Sequence, residues 1–277
     1  MKYLLTYVVI MLCSIPSDLS SKILPCPSIQ YFYEEVSKSD DKAIVFIDVD
    51  DTTIVACDMI LRPAGRPCVK NFLQRVASGN IPSSLSIKEI RSLVMQSMKV
   101  EPVEPCTIEY ISKLQEQLKT VIALTAARTS ELAPISARDW RFEQLKNIGI
   151  DFRKSSNFLG SYELRVEPYE KNRPWYDRGI IFTDDAPKGP VAVAFLKKNE
   201  IQPSCVIVLD DKLSYLESLE ESLSEQGIPF IGYHYTYLDN LREIPLEAIY
   251  NYQFIKLIND HIWVSDMEAR HILRIPD

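Results

Sequence analysis

Several residue types are scarce in this chain, and each scarcity argues against a class of protein. Glycine accounts for 8 of the 277 residues, too few for a fibrous or low-complexity protein. There are 31 basic against 38 acidic side chains, a net charge of -7, so the basic excess that coats nucleic acid or an anionic membrane is missing. The hydrophobic fraction of 46% is too high for a disordered chain. Of the classes considered, these figures are compatible with a globular protein that has one or two hydrophobic cores.

Cysteine and histidine also lack the spacings of common metal sites. The six cysteines show no CxxC pair, which argues against a zinc ribbon and a thioredoxin-like motif. One or two disulfides remain open, with Cys57, Cys68 and Cys106 as the candidates in one region. The three histidines are far apart and form no HExxH pair, so we expect ordinary core or surface histidines.

The longest apolar run lies at the N-terminus. Lys2 precedes a nearly unbroken apolar stretch over residues 3–13, and small residues follow it. This order is typical of a secretory signal peptide, so we predict one over residues 1–21 and an exported, periplasmic or secreted protein. The run is too short for a comfortable permanent anchor, so no stable membrane span is expected after signal removal. The alternatives are membrane attachment through an uncleaved N-terminus and a buried N-terminal strand or helix.

Four apolar runs, which begin at Lys42, Thr120, Cys205 and Pro229, predict buried strands. Continuous apolar runs are typical of strands covered on both faces, and segments of helical periodicity lie between them. This alternation predicts one α/β domain over residues 22–277, with a mainly parallel sheet in a three-layer α/β/α arrangement.

Polar side chains end three of these four runs. The ends are Asp48-Val49-Asp50-Asp51-Thr52, Thr125 and Asp210-Asp211. Ligands of parallel sheets bind at the carboxyl ends of the strands, where two carboxylates at i and i+2 can attack an electrophile and handle its proton. Close carboxylates repel each other, so Mg²⁺ is their natural partner. Asp-Asp pairs also occur as plain turns and helix caps, but two pairs at the ends of buried strands favour a site.

Four motifs occur in order between residues 40 and 235: DxDxT at 48–52, a strand ending in Thr125, Lys188 at a helix start and Asp210-Asp211. In these motifs the chain resembles the haloacid dehalogenase-like (HAD) hydrolase superfamily, which implies a Rossmann-like core. The DxDDT segment is locally similar to periplasmic acid phosphatases. Residues 195–233 resemble a little-characterised branch of secreted bacterial HAD-like proteins.

The resemblance implies a role for each motif residue. Asp48 would be the nucleophile that forms an aspartyl-phosphate, and Asp50 would protonate the leaving oxygen and later activate water. Thr125 would hydrogen-bond a phosphoryl oxygen, and Lys188 would neutralise charge on the nucleophile and the phosphoryl group. The implied Mg²⁺ ligands are the Asp48 carboxylate, the Asp50 backbone carbonyl and the Asp210 carboxylate, with Asp211 in support.

The resemblance predicts a Mg²⁺-dependent phosphatase that hydrolyses a small phosphomonoester and binds no nucleic acid. Asp50 favours this reaction because the dehalogenases of the superfamily lack that second aspartate. The alternatives are a secreted binding or effector protein that has the fold without turnover, and a phosphotransferase. The substrate and the oligomeric state stay open.

Two insertions and several accessory residues complete the prediction. We predict a small helical cap over residues 57–105, with helices near 69–76 and 87–98, and a β-hairpin insertion over 157–185. A packing helix is expected over 246–258. The accessory candidates are Lys197 and Lys198 as competitors of Lys188, Arg128 as a phosphate contact or a solvated loop charge, and Tyr233, His234, Tyr235 and Tyr237 as a cleft wall or core packing.

Overall fold

A computed structural model gives the fold of most of the chain. It describes residues 22–129, 136–155, 158, 160–169, 171–241 and 244–276. The predicted signal peptide, residues 1–21, therefore lies outside the described residues. Within the described ranges, no helix combines the length and the apolar character that crossing a bilayer requires.

The described residues form ten strands, nine α-helices and four short 3-10 turns. The strands are β1 (Lys22–Cys26), β2 (Ile44–Ile47), β3 (Ile54–Ala56), β4 (Val100–Pro102), β5 (Thr120–Thr125), β6 (Ser161–Glu163), β7 (Trp175–Asp177), β8 (Ile180–Phe182), β9 (Val206–Asp210) and β10 (Phe230–Tyr235). The helices are α1 (Ile29–Val36), α2 (Arg66–Ala77), α3 (Ile87–Ser97), α4 (Thr107–Glu116), α5 (Ala137–Asn147), α6 (Lys188–Lys198), α7 (Leu213–Ser224), α8 (Glu247–Asp260) and α9 (Asp266–Leu273). The 3-10 turns are Met59–Leu61, Pro63–Gly65, Phe152–Ser155 and Leu238–Asn240.

Eight of the described strands form one central sheet, in the order β1-β10-β9-β2-β5-β8-β7-β6. The first six strands in this order run parallel to one another: β1, β10, β9, β2, β5 and β8. β7 pairs antiparallel with β8, and β6 pairs antiparallel with β7. The predicted α/β class with a mainly parallel sheet is confirmed. The three strands that carry the predicted motifs, β9, β2 and β5, lie side by side in its middle.

Alternate side chains of β2 pack on opposite faces of the sheet. Val45 and Ile47 contribute to a hydrophobic cluster with residues of α1, α4 and α5, and Ile44 and Phe46 contribute to another with residues of α6 and α7. All four residues of the strand are buried, which explains the absence of polar alternation in its sequence. The three-layer α/β/α arrangement is confirmed.

A helical layer, here called the cap, consists of α2, α3, α8 and α9. Its helices α2 and α3 lie between β3 and β4, which pair with each other antiparallel, and they contain most of both predicted cap helices. The rings of Phe72 and Phe254 stack with their centroids 4.0 Å apart, inside a hydrophobic cluster that also holds Trp263. The C-terminal helix predicted over residues 246–258 is α8, and it packs on α2 within the cap.

The segment predicted as a β-hairpin insertion, residues 157–185, forms three strands instead of two. β6 and β8 do not pair with each other, because β7 lies between them and pairs with both. β8 pairs in parallel with β5, so this meander extends the central sheet. Residues 157, 159 and 170 of the segment lie outside the described residues.

The cysteines in the described ranges carry free thiols. Cys57, Cys68 and Cys106, the residues for which a disulfide was left open, are among them. The structure therefore forms no bridge within this set, and the fold depends on its hydrophobic clusters.

Candidate functional site

The predicted motif residues meet at one edge of the central sheet. Ile47 is level with Leu209 on one neighbouring strand and with Ala123 on the other. Asp48 and Asp210 therefore follow side by side, and the Asp48 amide donates to the Leu209 carbonyl oxygen at 2.9 Å. Thr125 ends the other neighbouring strand. Asp48, Asp210 and Thr125 are all buried.

Lys188 lies between two of these carboxylates. Its Nζ is 2.6 Å from Asp48 Oδ1 and 2.6 Å from Asp210 Oδ2, and it lies 4.7 Å from the centre of the Tyr215 ring. Burial by itself would lower the pKa of Lys188, but the charges of Asp210 and Asp48 outweigh it and raise this pKa above its ordinary value. Lys197 and Lys198, at the other end of α6, are exposed, so the structure brings Lys188 to the site and not its two competitors.

Gly189 allows α6, the helix that carries Lys188, to lie close to α7. A Cβ atom at this position would collide with the backbone carbonyl of Ser218 on α7. The Gly189 amide instead donates to Ser218 Oγ at 3.2 Å. The absence of a side chain at residue 189 therefore positions the ammonium group of its neighbour.

Thr52 connects the two aspartate loops. Its Oγ1 donates to Asp48 Oδ2 at 3.1 Å and accepts from the Asp211 amide at 3.1 Å. Thr53 Oγ1 donates to the Asp48 carbonyl oxygen at 2.6 Å. The DxDxT pattern contains Thr52, but its bridging role depends on the packing of β2 against β9 and was not predicted.

Three carboxylates form a candidate cation site. Asp48, Asp210 and Asp211 can each place one oxygen within 4.8 Å of the other two. Asp211 Oδ1 is buried without a hydrogen-bond partner among the described residues, and burial raises the pKa of Asp211 to about 6. Burial also raises the pKa of Asp48 to about 8, against the opposing charge of Lys188. Unpartnered carboxylate oxygens are ligands that suit Mg²⁺.

Asp50 lies apart from this set of carboxylates. Its side chain is 41% exposed and accepts from Arg141 Nη2 at 2.7 Å and 2.9 Å, one contact to each oxygen. Thr125 Oγ1 lies 3.4 Å from Asp50 Oδ2. Arg141 was missed by the sequence reasoning, because a single arginine on a helix carries no spacing signal. The predicted metal contribution of Asp50 concerned its backbone carbonyl and stays a prediction.

The cap contacts the same loop through Asp51. Asp51 has a left-handed backbone, with φ of 66°, and its carboxylate forms an ion pair with Arg66 at the start of α2. Burial raises the pKa of Asp51, and the Arg66 charge opposes this rise. The motif loop is therefore tied directly to a cap helix.

The accessory candidates divide between the surface and the core. Arg128 forms an exposed ion pair with Asp185 at 2.5 Å, as expected of a solvated loop charge. Tyr233 and Tyr235 are buried in a hydrophobic cluster, which confirms core packing for these two aromatic residues. His234 Nε2 lies 3.1 Å from the carbonyl oxygen of Asp211 and therefore contacts one of the aspartate loops.

Comparison with known families places the whole motif set in one family. A family model described as "Protein of unknown function (DUF2608)" matches residues 26–270. The chain belongs to this family. A relative from Rickettsia prowazekii (strain Madrid E), an uncharacterized protein, is 24% identical over 84% of each chain. A Chlamydia trachomatis (serovar D) protein named "Putative outer membrane protein" is 22% identical, and the match covers 95% of this chain and 96% of that protein.

The solved structures similar to this DUF2608 chain include a haloacid dehalogenase-like family hydrolase from Streptococcus pneumoniae, with a TM-score of 0.36 and 16% sequence identity. The match covers 76% of this chain and 98% of that one. This likeness assigns neither an activity nor a substrate, so the functional argument depends on the chain's own site.

Proposed function

We propose that this protein is an exported, Mg²⁺-dependent phosphatase that hydrolyses a small phosphomonoester through an aspartyl-phosphate on Asp48. The observation that carries the proposal is the buried Lys188 ammonium between Asp48 and Asp210, beside an oxygen of Asp211 that has no hydrogen-bond partner in the described part of the chain. This arrangement joins an oxygen nucleophile to positive charge at the sheet edge where parallel sheets bind ligands.

In the first half of the proposed reaction, a carboxylate oxygen of Asp48 attacks phosphorus. The bond between phosphorus and the ester oxygen breaks, and that oxygen takes a proton from Asp50, which enters this step protonated and leaves it as a carboxylate. The alcohol departs, and Asp48 carries the phosphoryl group. Lys188 neutralises the charge on the transferred group, and Thr125 Oγ1 donates to one of its oxygens.

In the second half, Asp50 takes a proton from a water molecule while the water oxygen attacks phosphorus. The bond between phosphorus and Asp48 breaks, inorganic phosphate leaves, and both aspartates return to their starting states. Asp48, Asp210 and Asp211 would hold Mg²⁺, together with the Asp50 carbonyl oxygen. The ion would supply positive charge that offsets the negative charge of the phosphoryl group.

Phosphate release from a panel of phosphomonoesters tests this function. Purified protein is incubated with a panel of phosphomonoesters, and phosphate release is measured with Mg²⁺, with EDTA and after Mg²⁺ is added back. We expect Mg²⁺-dependent release that Asp48→Asn abolishes. Asp41→Asn, at an exposed side chain before β2, is the matched control and should retain activity.

The same panel separates the alternatives. Folded wild-type protein that binds Mg²⁺ but releases no phosphate from any ester would contradict the phosphatase and favour a binding or effector protein. Phosphoryl transfer to an added alcohol in preference to water would instead identify a phosphotransferase.

Export is supported by the apolar N-terminal sequence and by the name of the chlamydial relative, "Putative outer membrane protein". We propose removal of residues 1–21 as a signal peptide, which gives a periplasmic or secreted protein. Mass spectrometry of the mature N-terminus tests this step. A mature chain that still begins at Met1 would contradict it and favour attachment through an uncleaved N-terminus.

A further inference from the structure

Arg141 is a buried arginine that the proposed reaction leaves without a role. Its side chain is 4% exposed, and Nη2 donates to both oxygens of Asp50 at 2.7 Å and 2.9 Å. Nη1 donates to Gln144 Oε1 at 2.6 Å, and Gln144 Nε2 donates to the Met98 carbonyl oxygen at 3.3 Å. The guanidinium also lies 4.9 Å from the centre of the Trp140 ring. The contacts to Gln144 and Trp140 hold the guanidinium group in place independently of Asp50.

The two ends of this ion pair differ in their surroundings. A buried guanidinium is costly unless it is paired, so Arg141 depends on the Asp50 carboxylate. The Asp50 side chain is 41% exposed and belongs to the loop that carries the proposed nucleophile. Arg141 is therefore anchored in the fold, and the carboxylate that it holds is open to a bound molecule.

A half-exposed carboxylate has rotamer freedom that a proton donor cannot tolerate. Proton transfer requires the donor within hydrogen-bond reach of the leaving oxygen, and small displacements lower the rate steeply. A planar guanidinium fixed by Gln144 and Trp140 restricts this freedom, because its Nη2 contacts both oxygens of Asp50.

We propose that Arg141 is a positioning residue that orients the Asp50 carboxyl group for proton transfer to the leaving oxygen. This inference rests on the proposed phosphatase function and adds a residue to it. The role belongs to Arg141 and not to the nearby Arg138, whose guanidinium lies 4.3 Å from the Trp175 ring and bonds to Ser161 Oγ at 3.2 Å.

The leaving group distinguishes this role from a structural one. A nitrophenolate departs readily without a proton, whereas an alkoxide needs one, so poor proton donation slows alkyl phosphates far more than 4-nitrophenyl phosphate. Damage to the fold, or loss of a contact to the phosphoryl group, would slow both substrates by similar factors.

The experiment measures kcat and KM for 4-nitrophenyl phosphate and for an alkyl phosphate that the wild type hydrolyses, both with Mg²⁺. We expect Arg141→Gln to lower kcat by about 100-fold or more for the alkyl phosphate and by less than about 10-fold for the nitrophenyl ester. KM should change by less than about threefold. Arg141→Lys should recover part of the loss, and Arg138→Gln, on the same helix, is the matched control.

Three further variants test whether Arg141 acts through Asp50. Asp50→Asn should show the same dependence on the leaving group, and the double variant with Arg141→Gln should lose little more than Asp50→Asn alone. If Arg141→Gln does not fold, Gln144→Leu removes the contact that holds the guanidinium and should give a smaller loss of the same kind.

Three results would overturn the inference. Equal losses for both esters would assign Arg141 to phosphoryl binding or to the fold, and unchanged kinetics would remove it from the reaction. A wild-type protein inert toward every phosphomonoester would contradict the proposed function itself, and the positioning role would fall with it. If the wild type is active, equal losses of kcat for both esters contradict the positioning role alone, so the two failures can be told apart.

Discussion

Lys188→Met tests the charge balance of the candidate site. Methionine has a similar length and no charge, so the substitution removes the ammonium while it keeps most of the volume. Lys188 Nζ contacts Asp48 and Asp210 at 2.6 Å each, and all three side chains are buried. In metal-free protein the variant therefore has two adjacent buried carboxylates that share no cation.

The expected loss of stability follows from these contacts. Removal of one partner from a buried ion pair costs about 3–5 kcal/mol in unfolding free energy. For a chain of this size the loss corresponds to a decrease of about 6–20 °C in Tm. The loss should shrink at lower pH, because burial raises the pKa of Asp48 and a protonated Asp48 needs no cation.

Denaturant unfolding followed by circular dichroism measures this loss in EDTA and in Mg²⁺. Lys197→Met, at the exposed end of the same helix, is the matched control. Mg²⁺ at 100 times the Kd of Lys188→Met should stabilise that variant by about 2.7 kcal/mol. It should stabilise the wild type less, since in the variant the bound cation replaces the missing charge. A loss below about 1 kcal/mol in EDTA, or one equal to that of Lys197→Met, would refute the dependence of the carboxylates on Lys188.

Two further predictions concern the packing of α6 and the cap. Gly189→Ala would place a methyl group against the Ser218 carbonyl, so thermal unfolding should show a loss of about 1–3 kcal/mol; an unchanged Tm would contradict this close approach. Asp58 accepts from Trp263 Nε1 and from the Asp266 amide at 2.8 Å each, and burial raises its pKa above 3.8. The contribution of Asp58 to stability is therefore greatest below pH 3.8 and falls as the pH rises through its folded-state pKa. The difference in unfolding free energy between wild type and Asp58→Asn should decrease over this range. Urea unfolding at several pH values measures this difference, and a constant value would contradict the prediction.

The central strands were predictable because burial on both faces leaves continuous apolar runs. β2, β5, β9 and β10 all show this pattern. β1 was missed, since it is an edge strand in which only Cys26 is buried and Pro25 interrupts the pattern. β7 was missed because three residues are too few to show a period.

The candidate site was predictable where its residues end apolar strands or begin a helix. Asp48, Thr125, Lys188 and Asp210 were found in this way, and the structure brings them to one sheet edge. Arg141 lies 91 positions from Asp50 in the chain. Their contact is created by tertiary packing alone, and no local pattern of the sequence indicates it.

Trapping of the covalent intermediate tests the central claim most directly. The protein is incubated with Mg²⁺ and a phosphomonoester that it hydrolyses, then treated with borohydride, which reduces an acyl phosphate on aspartate to homoserine. Peptide mass spectrometry should find homoserine at position 48 when the substrate is present and not when it is omitted, and Asp41→Asn protein treated with substrate should show the same modification. Phosphate release without modification at Asp48, or with modification at another carboxylate, would contradict the account.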